Sequence, residues 1–427
     1  MPLDKIVYTS MCADYLHAGH MNIIKKSREL GKLIVGIMTD EAVASYKRVP
    51  MCPYEQRAEV VRNIEGVWKV VPQHTLDYTD NLRKFKPDIV TNADDWKTGT
   101  QKKTRQQVID VLKEWNGELI EFPYTKGISS TKIITSINKE GITPDRRLSS
   151  LRRAINCKKL VRVLEAHNGL SGLIVEKTKY NRKEFDAIWI SSLTDSTSKG
   201  KPDIELVDFT SRIQTVNEIL EVTTKPIIID GDTGGQIEHF TYMVKTLERL
   251  GVSAVIIEDK VFPKVNSLIK GAKHKQEDIL KFSKKIKKGK AAQVTDDFMI
   301  IARIESLIAG KTVEDALTRA FAYINAGADA IMIHSKESSA YQVVEFAKEY
   351  NKMKNRVPLV VVPTTYYTFK EKEMKYHGID VVIYANHQIR SAYRAMKEVA
   401  EDILGFEDCN LGDKCCSVKE LIELTKK

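Results

Sequence analysis

The sequence predicts two α/β domains in tandem, an N-terminal doubly wound Rossmann-like domain and a C-terminal (β/α)8 barrel. Three observations carry this. At 427 residues the chain exceeds the roughly 250–300 at which one hydrophobic core stops growing. Short apolar runs alternate with longer amphipathic segments from end to end. Between the two series, Gly141-Ile142-Thr143-Pro144-Asp145-Arg146-Arg147 breaks the periodicity with glycine, proline and charge. The expected domains are therefore 1–140 and 151–427, joined by a linker over 141–150.

In the first series, Lys5–Thr9 is a β-branched run, His20–Leu30 a helix with lysines on one face, and Leu33–Met38 a buried strand. Pro53–Ile64 is a helix with proline in its first turn. Val67–Val71, Ile89–Thr91 and Glu118–Phe122 are further strands, with a helix at Gln101–Trp115. In the second series the strands are Leu173–Val175, Ala187–Ser191, Pro226–Asp230, Ala254–Glu258, Phe298–Arg303, Ala330–Ile333, Leu359–Val362 and Val381–Tyr384. Helical patterns such as Ile237–Leu250, Thr312–Ala326 and Gln388–Leu404 lie between or after them. Eight such repeats close a barrel.

Composition narrows the function classes. Apolar residues make up 42% and charged residues 29%, ordinary globular usage. No apolar stretch approaches the ~20 residues that span a bilayer, and Met1–Lys5 runs into a strand without a leader pattern, so a cytoplasmic protein off the membrane is expected. Six cysteines, three of them at Cys409, Cys415 and Cys416, make no disulfide framework and lack the paired spacing of a zinc site. The formal charge is +10, but the basic residues are dispersed and the densest run, Lys281–Lys290, reads as one helix. Small anionic substrates account for that balance without nucleic acid.

Barrel active sites lie at the carboxyl ends of the strands. There the sequence places Trp189 and Ser191, then Asp230 and Asp232 in Asp-Gly-Asp-Thr-Gly-Gly, then Glu258-Asp259-Lys260, Arg303, and His334. Carboxylates from adjacent strands suit a hard cation, and Mg²⁺ takes one or two of them with waters. Asp230, Asp232, Glu258 and Asp259 are the metal candidates. Arg303 and His334 supply positive charge or donors to a phosphoryl or carboxylate group. An Asp-x-Asp alone suits a capped turn, and Glu-Asp-Lys a surface ion pair. Five strand ends agreeing favours a site.

Trp189-Ile190-Ser191, Asp230-Gly231-Asp232-Thr233-Gly234 and Glu258-Asp259-Lys260-Val261-Phe262-Pro263-Lys264-Val265-Asn266-Ser267 resemble phosphoenolpyruvate mutase of the isocitrate lyase superfamily. The resemblance spans about 150–405. It implies that Asp230 binds Mg²⁺ with Asp232, Glu258 and Asp259 around it, partly through waters. Trp189, Ser191, Ser267, Arg303 and His334 then contact substrate, Asp203 is the catalytic aspartate, and Lys264 and Asn266 ride a gating loop over 259–270. The implied chemistry moves a phosphoryl group from the enol oxygen of phosphoenolpyruvate to carbon, giving phosphonopyruvate. Asp203 either attacks phosphorus or orients the transferring group. The Lys-Lys-Cys-Gly-His motif of the carbon–carbon lyases is absent from this sequence, and Asn266 resembles the mutases more than phosphonopyruvate hydrolase.

In the first domain, His17-Ala18-Gly19-His20 opens a helix after the first strand. Two histidines three apart project to one side, beside a helix N-terminus that favours an anion. With Tyr54-Glu55-Gln56-Arg57, Asp94-Asp95-Trp96 and Gly127-Ile128-Ser129-Ser130-Thr131, this segment resembles the small cytidylyltransferases of the glycerol-3-phosphate and ethanolamine-phosphate kind. The resemblance implies that His17 and His20 stabilise the transition state, and that Thr9, Lys47, Arg57, Ser129 and Thr131 bind nucleotide. Asp95 and Trp96 would line the cytidine pocket. Ser10-Met11-Cys12-Ala13-Asp14 and Tyr124-Thr125 depart from the family's Gly-Thr-Phe-Asp and Arg-Thr.

Together the resemblances imply a bifunctional phosphonate-biosynthesis enzyme that uses CTP and a small phosphonate. The fusion order is similar to that of the first enzyme of fosfomycin-type pathways, which implies 2-hydroxyethylphosphonate as acceptor, with aminoethylphosphonate or a phosphate ester as alternatives. A phosphonopyruvate decarboxylase would follow in the pathway. A nucleotide-binding but non-catalytic first domain, or a hydrolase barrel, are the alternatives. Relatives of the barrel associate as dimers or tetramers, often by exchanging a terminal helix, and Gln388–Leu404 is amphipathic enough to serve.

Overall fold

The computed structural model describes residues 4–97, 101–125, 142–181, 183–262, 264–267, 269, 271–408 and 412–426. The chain divides into two compact units, Met1–Glu140 and Gly141–Lys427.

The first unit is built on a parallel sheet of β1 (Ile6–Met11), β2 (Lys32–Met38), β3 (Val67–Gln73), β4 (Ile89–Ala93) and β5 (Glu118–Phe122). Their spatial order is β3-β2-β1-β4-β5. The order reverses between β1 and β4, and in open α/β sheets that crevice is where ligands bind. Near-continuous apolar runs, Leu33 to Met38 above all, are fully buried because helices cover both faces. Tyr8, Tyr78, Trp96, Val108 and Leu112 pack one face; Val7, Ile24, Val35 and Val61 pack the other.

The second unit is a closed barrel. Its strands are β6 (Val161–Glu165), β9 (Ala187–Ile190), β10 (Ile227–Asp230), β11 (Ala254–Glu258), β12 (Met299–Ile304), β13 (Ala330–Ile333), β14 (Leu359–Val361) and β15 (Val381–Tyr384). A small hairpin of β7 (Lys179–Tyr180) and β8 (Lys183–Glu184) stands between β6 and β9. Alternate side chains fill the interior: Val163, Trp189, Ile228, Ile256, Ile301, Met332, Val360 and Ile383 form one cluster. The other parity packs outward onto the helices, with Phe240, Phe282, Tyr323 and Phe346 bridging between them.

Two expectations are corrected. Leu173–Val175 is not a strand; it lies in the helix Gly169–Lys177, which Asn168 and Ser171 cap reciprocally. The first barrel strand is Val161–Glu165, where Arg162, paired bidentately with Glu371, interrupts the apolar run. The expected linker over 141–150 is largely helix. Pro144 opens the helix Pro144–Cys157, whose Arg147 and Leu148 are buried and whose Arg147 Nη2 donates to Thr223 O at 2.6 Å.

Gly289, inside the helix Ile279–Ala292, gives a test of the packing. Alanine there normally gains about 1 kcal/mol of helix propensity, but a Cβ would stand 2.4 Å from Phe240 and 2.8 Å from Ile300. Overpacking costs about 1–3 kcal/mol, so Gly289→Ala should lower the barrel's denaturant midpoint. A midpoint unchanged or raised would contradict this packing.

Candidate active sites

The barrel's interior parity explains its mouth. One step beyond the apolar layer, the inward positions become Glu165, Ser191, Asp230, Glu258, Arg303 and His334. Register does the rest: Glu258 on β11 stands directly opposite Arg303 on β12. These side chains, Glu165 excepted, line a pocket with about 640 Å³ of atom-free space, together with Trp189, Asp203, Lys260, Lys264, Asn266 and Ser267.

Two charge networks meet there. In the first, Lys264 Nζ lies 2.5 Å from Asp232 Oδ1 and 3.1 Å from Asp203 Oδ1, and donates to Ser192 Oγ at 2.7 Å. Ser192 Oγ donates onward to Asp230 Oδ2 at 2.9 Å, and Asn266 Nδ2 to Asp203 Oδ2 at 2.6 Å. Burial disfavours the Lys264 ammonium, but Asp232, Asp230, Glu258 and Asp203 outweigh it and hold its pKa above the usual lysine value. Asp232 takes up a left-handed backbone, φ 52°, and Arg212 from the helix Phe209–Val222 clamps it, Nη1 donating to Asp232 Oδ2 and to Asp230 O, both at 2.7 Å. Burial raises and these cations lower the Asp232 carboxyl, which settles at about 2.

The second network centres on Glu305. Its carboxylate accepts from Arg303 Nε at 2.5 Å and Ser267 Oγ at 2.8 Å, with Lys260 Nζ at 3.0 Å and His334 Nδ1 at 2.7 Å. Beside it, burial pushes Glu258 up to about 7 against the pull of Arg303 and Lys264. Glu258 Oε1 is buried without a hydrogen-bond partner among the described residues.

The donor chemistry fits a hard divalent cation at Asp230 and Glu258. Both are pocket-lining carboxylates on adjacent strands, and Glu258 Oε1, 3.6 Å from Lys260 Nζ, lacks a hydrogen-bond partner among the described residues. Among the described residues no three acidic, histidine or cysteine side chains form a metal cluster by themselves, and magnesium, which keeps waters, does not require one. Asp259 is different. Its oxygens accept from Arg319 Nη1, Tyr323 OH and the Glu305 amide at 3.0, 2.8 and 2.9 Å, and it is fully buried off the pocket. The expectation that it lies around the metal is therefore corrected: protein donors already occupy its lone pairs. Asp232 also lies outside the pocket lining, held by Arg212 and Lys264.

Sequence reasoning passed over Glu305, Lys260, Ser192 and Arg212 as site residues. For Glu305 the signal was parity: it is the next inward position after Arg303 on a strand that runs to Ile304, one residue past the expected end.

In the first unit, His17 caps the helix Ala18–Arg28, its Nδ1 accepting from Gly19 N at 3.1 Å. Nδ1 as acceptor leaves Nε2–H as a donor. A Cβ on residue 19 would stand 2.9 Å from the His17 ring, which is why glycine is there. The rings of His17 and His20 are 4.0 Å apart. Burial, then the neighbouring His17 and Lys47, lowers His20 to about 4, and its Nδ1 is buried without a hydrogen-bond partner among the described residues.

Three expected nucleotide contacts prove internal. Thr9 is buried with Oγ1 donating to Thr91 O at 2.9 Å. Arg57 spends its donors on Asp40 Oδ1 at 2.6 Å, Cys52 O at 2.9 Å and Cys12 O, pinning the loop after β1. Trp96 packs against Tyr78 in the core, with Nε1 donating to Glu121 at 2.6 Å. Lys47 and Asp95 are exposed, and Ser129 and Thr131 lie outside the described residues. Asp14, the aspartate that ends the departing Ser10–Asp14 segment, is buried and accepts from Cys52 N at 2.9 Å.

The comparisons with known proteins agree with this division. The family profile described as phosphoenolpyruvate phosphomutase matches residues 151–404, and the one described as cytidylyltransferase-like matches residues 11–136. A phosphoenolpyruvate phosphomutase of Tetrahymena pyriformis is 38% identical over 288 residues, covering 67% of this chain and 93% of that protein. Bifunctional protein HldE of Desulfatibacillum aliphaticivorans is 32% identical over 138 residues, 31% of this chain and 27% of its own. Among solved structures, a phosphoenolpyruvate phosphomutase from Streptomyces platensis subsp. rosaceus superposes with TM-score 0.61 at 36% identity, covering 65% of this chain and 94% of that one. A phosphonopyruvate hydrolase solved with oxalate and Mg²⁺ superposes with TM-score 0.59 at 34% identity, covering 65% and 94%. The chain belongs to the phosphoenolpyruvate phosphomutase family and carries a cytidylyltransferase-like unit ahead of its barrel.

Proposed function

We propose that the barrel interconverts phosphoenolpyruvate and phosphonopyruvate, and that the first unit transfers CMP from CTP to a small phosphonate such as 2-hydroxyethylphosphonate. The observation that carries the barrel's part is Asp203, held between Lys264 and Asn266 in the same pocket as Arg303 and His334. A phosphoryl group passing from oxygen to carbon goes through a loose, metaphosphate-like state that asks for positioning and spread positive charge. Lys264 and Arg303 supply that charge and those donors, and Asp203 is the carboxylate beside the transferring group. Asp230 and Glu258 are the residues to hold Mg²⁺, with Asp232 behind them; when bound, the ion neutralises substrate oxygens as a Lewis acid. Lys264 and Ser267 are buried and Asn266 half-buried, a loop position that would limit water's competition for the phosphoryl group.

The second reading is hydrolysis of phosphonopyruvate to pyruvate and phosphate, favoured by the hydrolase likeness. Phosphorus NMR on phosphonopyruvate with Mg²⁺ separates the two: a phosphoenolpyruvate signal is expected, and inorganic phosphate as main product would overturn the mutase reading. Asp203→Ala should abolish this turnover and leave cytidylyl transfer intact.

In the first unit, His17 and His20 aim donors at a helix N-terminus suited to nucleotide phosphates, at the sheet's switch point. Pyrophosphate release from CTP with a panel of phosphonates tests the acceptor. His17→Ala or His20→Ala should cost about 10²–10³-fold, and the absence of release with every acceptor would leave a binding module only. A histidine whose folded pKa is depressed stays neutral until pH falls through that value. Proton NMR should therefore find His20 titrating near 4, below its unfolded value of 6.5; a midpoint at 6 or above would refute the buried, cation-flanked site.

Association through the C-terminal helices accords with their exposed apolar faces. Met396, Leu404 and Phe406 of the helix His387–Phe406 are 62%, 81% and 67% exposed, and no residue of the helix Val418–Thr425 is buried. Light scattering should give a multiple of the 48.5 kDa chain mass, and a monomer at micromolar concentration would exclude it.

A further inference from the structure

Glu305 has no role in the mechanism above, and nothing assigns it one. It sits one inward step past Arg303 at the end of β12, fully buried. Four groups converge on its two oxygens. Oε1 takes Arg303 Nε at 2.5 Å and His334 Nδ1 at 2.7 Å; Oε2 takes Ser267 Oγ at 2.8 Å and Lys260 Nζ at 3.0 Å. Three of these come from different strand ends and the fourth from the loop that covers the pocket. An isolated buried carboxylate would be costly. Here donors satisfy it, and Arg303 and His334 hold it ionised, well below the usual carboxylate range, although burial opposes this.

The geometry also decides the state of His334. Its Nδ1 lies 2.7 Å from Glu305 Oε1 and 2.8 Å from Arg303 Nη2, and cannot serve both as donor and as acceptor. Arg303 Nη2 has other acceptors, Ser267 Oγ at 3.2 Å and Glu258 Oε2 at 3.3 Å. The ionised carboxylate, an acceptor only, takes the ring proton. Burial, and then the Arg303 charge, hold the ring's pKa below the usual imidazole value and so favour the neutral ring, in which Nε2 is the lone-pair nitrogen.

We propose that Glu305 is a positioning residue of the barrel site: its carboxylate fixes His334 as the Nδ1–H tautomer, orients Arg303, and latches Ser267 of the covering loop. This rests on the barrel reading above but can fail separately from it. Glu305→Gln keeps the shape, removes the charge, and sets an amide N–H against donors. It should lower kcat/KM for phosphonopyruvate consumption, whichever product forms, by about 10–100-fold, the usual loss when the group behind an active side chain is removed. In the metal-free protein, ¹⁵N NMR should show His334 protonated at Nδ1 in the wild type and moved towards the Nε2–H form in Glu305→Gln. Glu305→Asp keeps the charge but withdraws it by one methylene; it reads the same two quantities if the glutamine variant does not fold, with the same directions expected. A wild-type tautomer with the proton on Nε2, or variants within threefold of wild-type kcat/KM, would overturn the proposal. A wild type inert towards phosphonopyruvate would instead overturn the reading of the barrel, while the tautomer would still judge Glu305.

Discussion

Charge taken out of water must be met within a few ångströms by opposite charge or donors, or the fold cannot hold it. At the barrel mouth this constraint governs nearly every placement. Lys264, Lys260 and Arg212 are buried and the Arg303 side chain nearly so, and the carboxylates of Asp203, Asp230, Asp232, Glu258 and Glu305 are buried with them. Each cation is shared between at least two carboxylates, so no pair can be read alone. Removing one partner leaves another stranded, which is why buried networks of this kind are strongly destabilised by single deletions. The apolar layer beneath, from Val163 to Ile383, supplies the rigid floor that holds the charged ring in place.

Much of this was legible from the sequence because both barrels and doubly wound sheets write their strands as apolar runs. Ala254–Glu258, Ala330–Ile333 and Val381–Tyr384 coincide with the observed strands residue for residue. The failures share a cause. Val161–Glu165 carries an arginine that pairs with Glu371, so the run looked broken, whereas the apolar Leu173-Ile174-Val175 belongs to a helix face. Charge at the strand ends pointed to the correct mouth, but sequence alone does not say which carboxylates face it. Asp230 and Glu258 do; Asp259, the next residue along, turns outward by the same period-two rule and meets Arg319.

The first unit shows the converse problem. His17, His20 and Gly19 stand where their spacing placed them, at a helix start beside the sheet's reversal. Arg57 and Trp96, polar and aromatic residues in motif positions, instead support the scaffold: Arg57 ties the loop after β1 to the loop before its own helix, and Trp96 anchors the turn after β4. A motif residue can matter to a site by building its walls rather than by touching the ligand.

Among the described residues of the barrel's covering loop, the groups that close on the site are polar. Lys264, Asn266 and Ser267 reach inward to carboxylates, and the Lys264 amide donates to Glu205 at 3.2 Å, while Phe262, Val265 and Ile269 turn out towards solvent. Heat-capacity change tracks apolar burial. The described part of this loop would expose little apolar surface on opening, so it would add only a small heat-capacity term to that equilibrium.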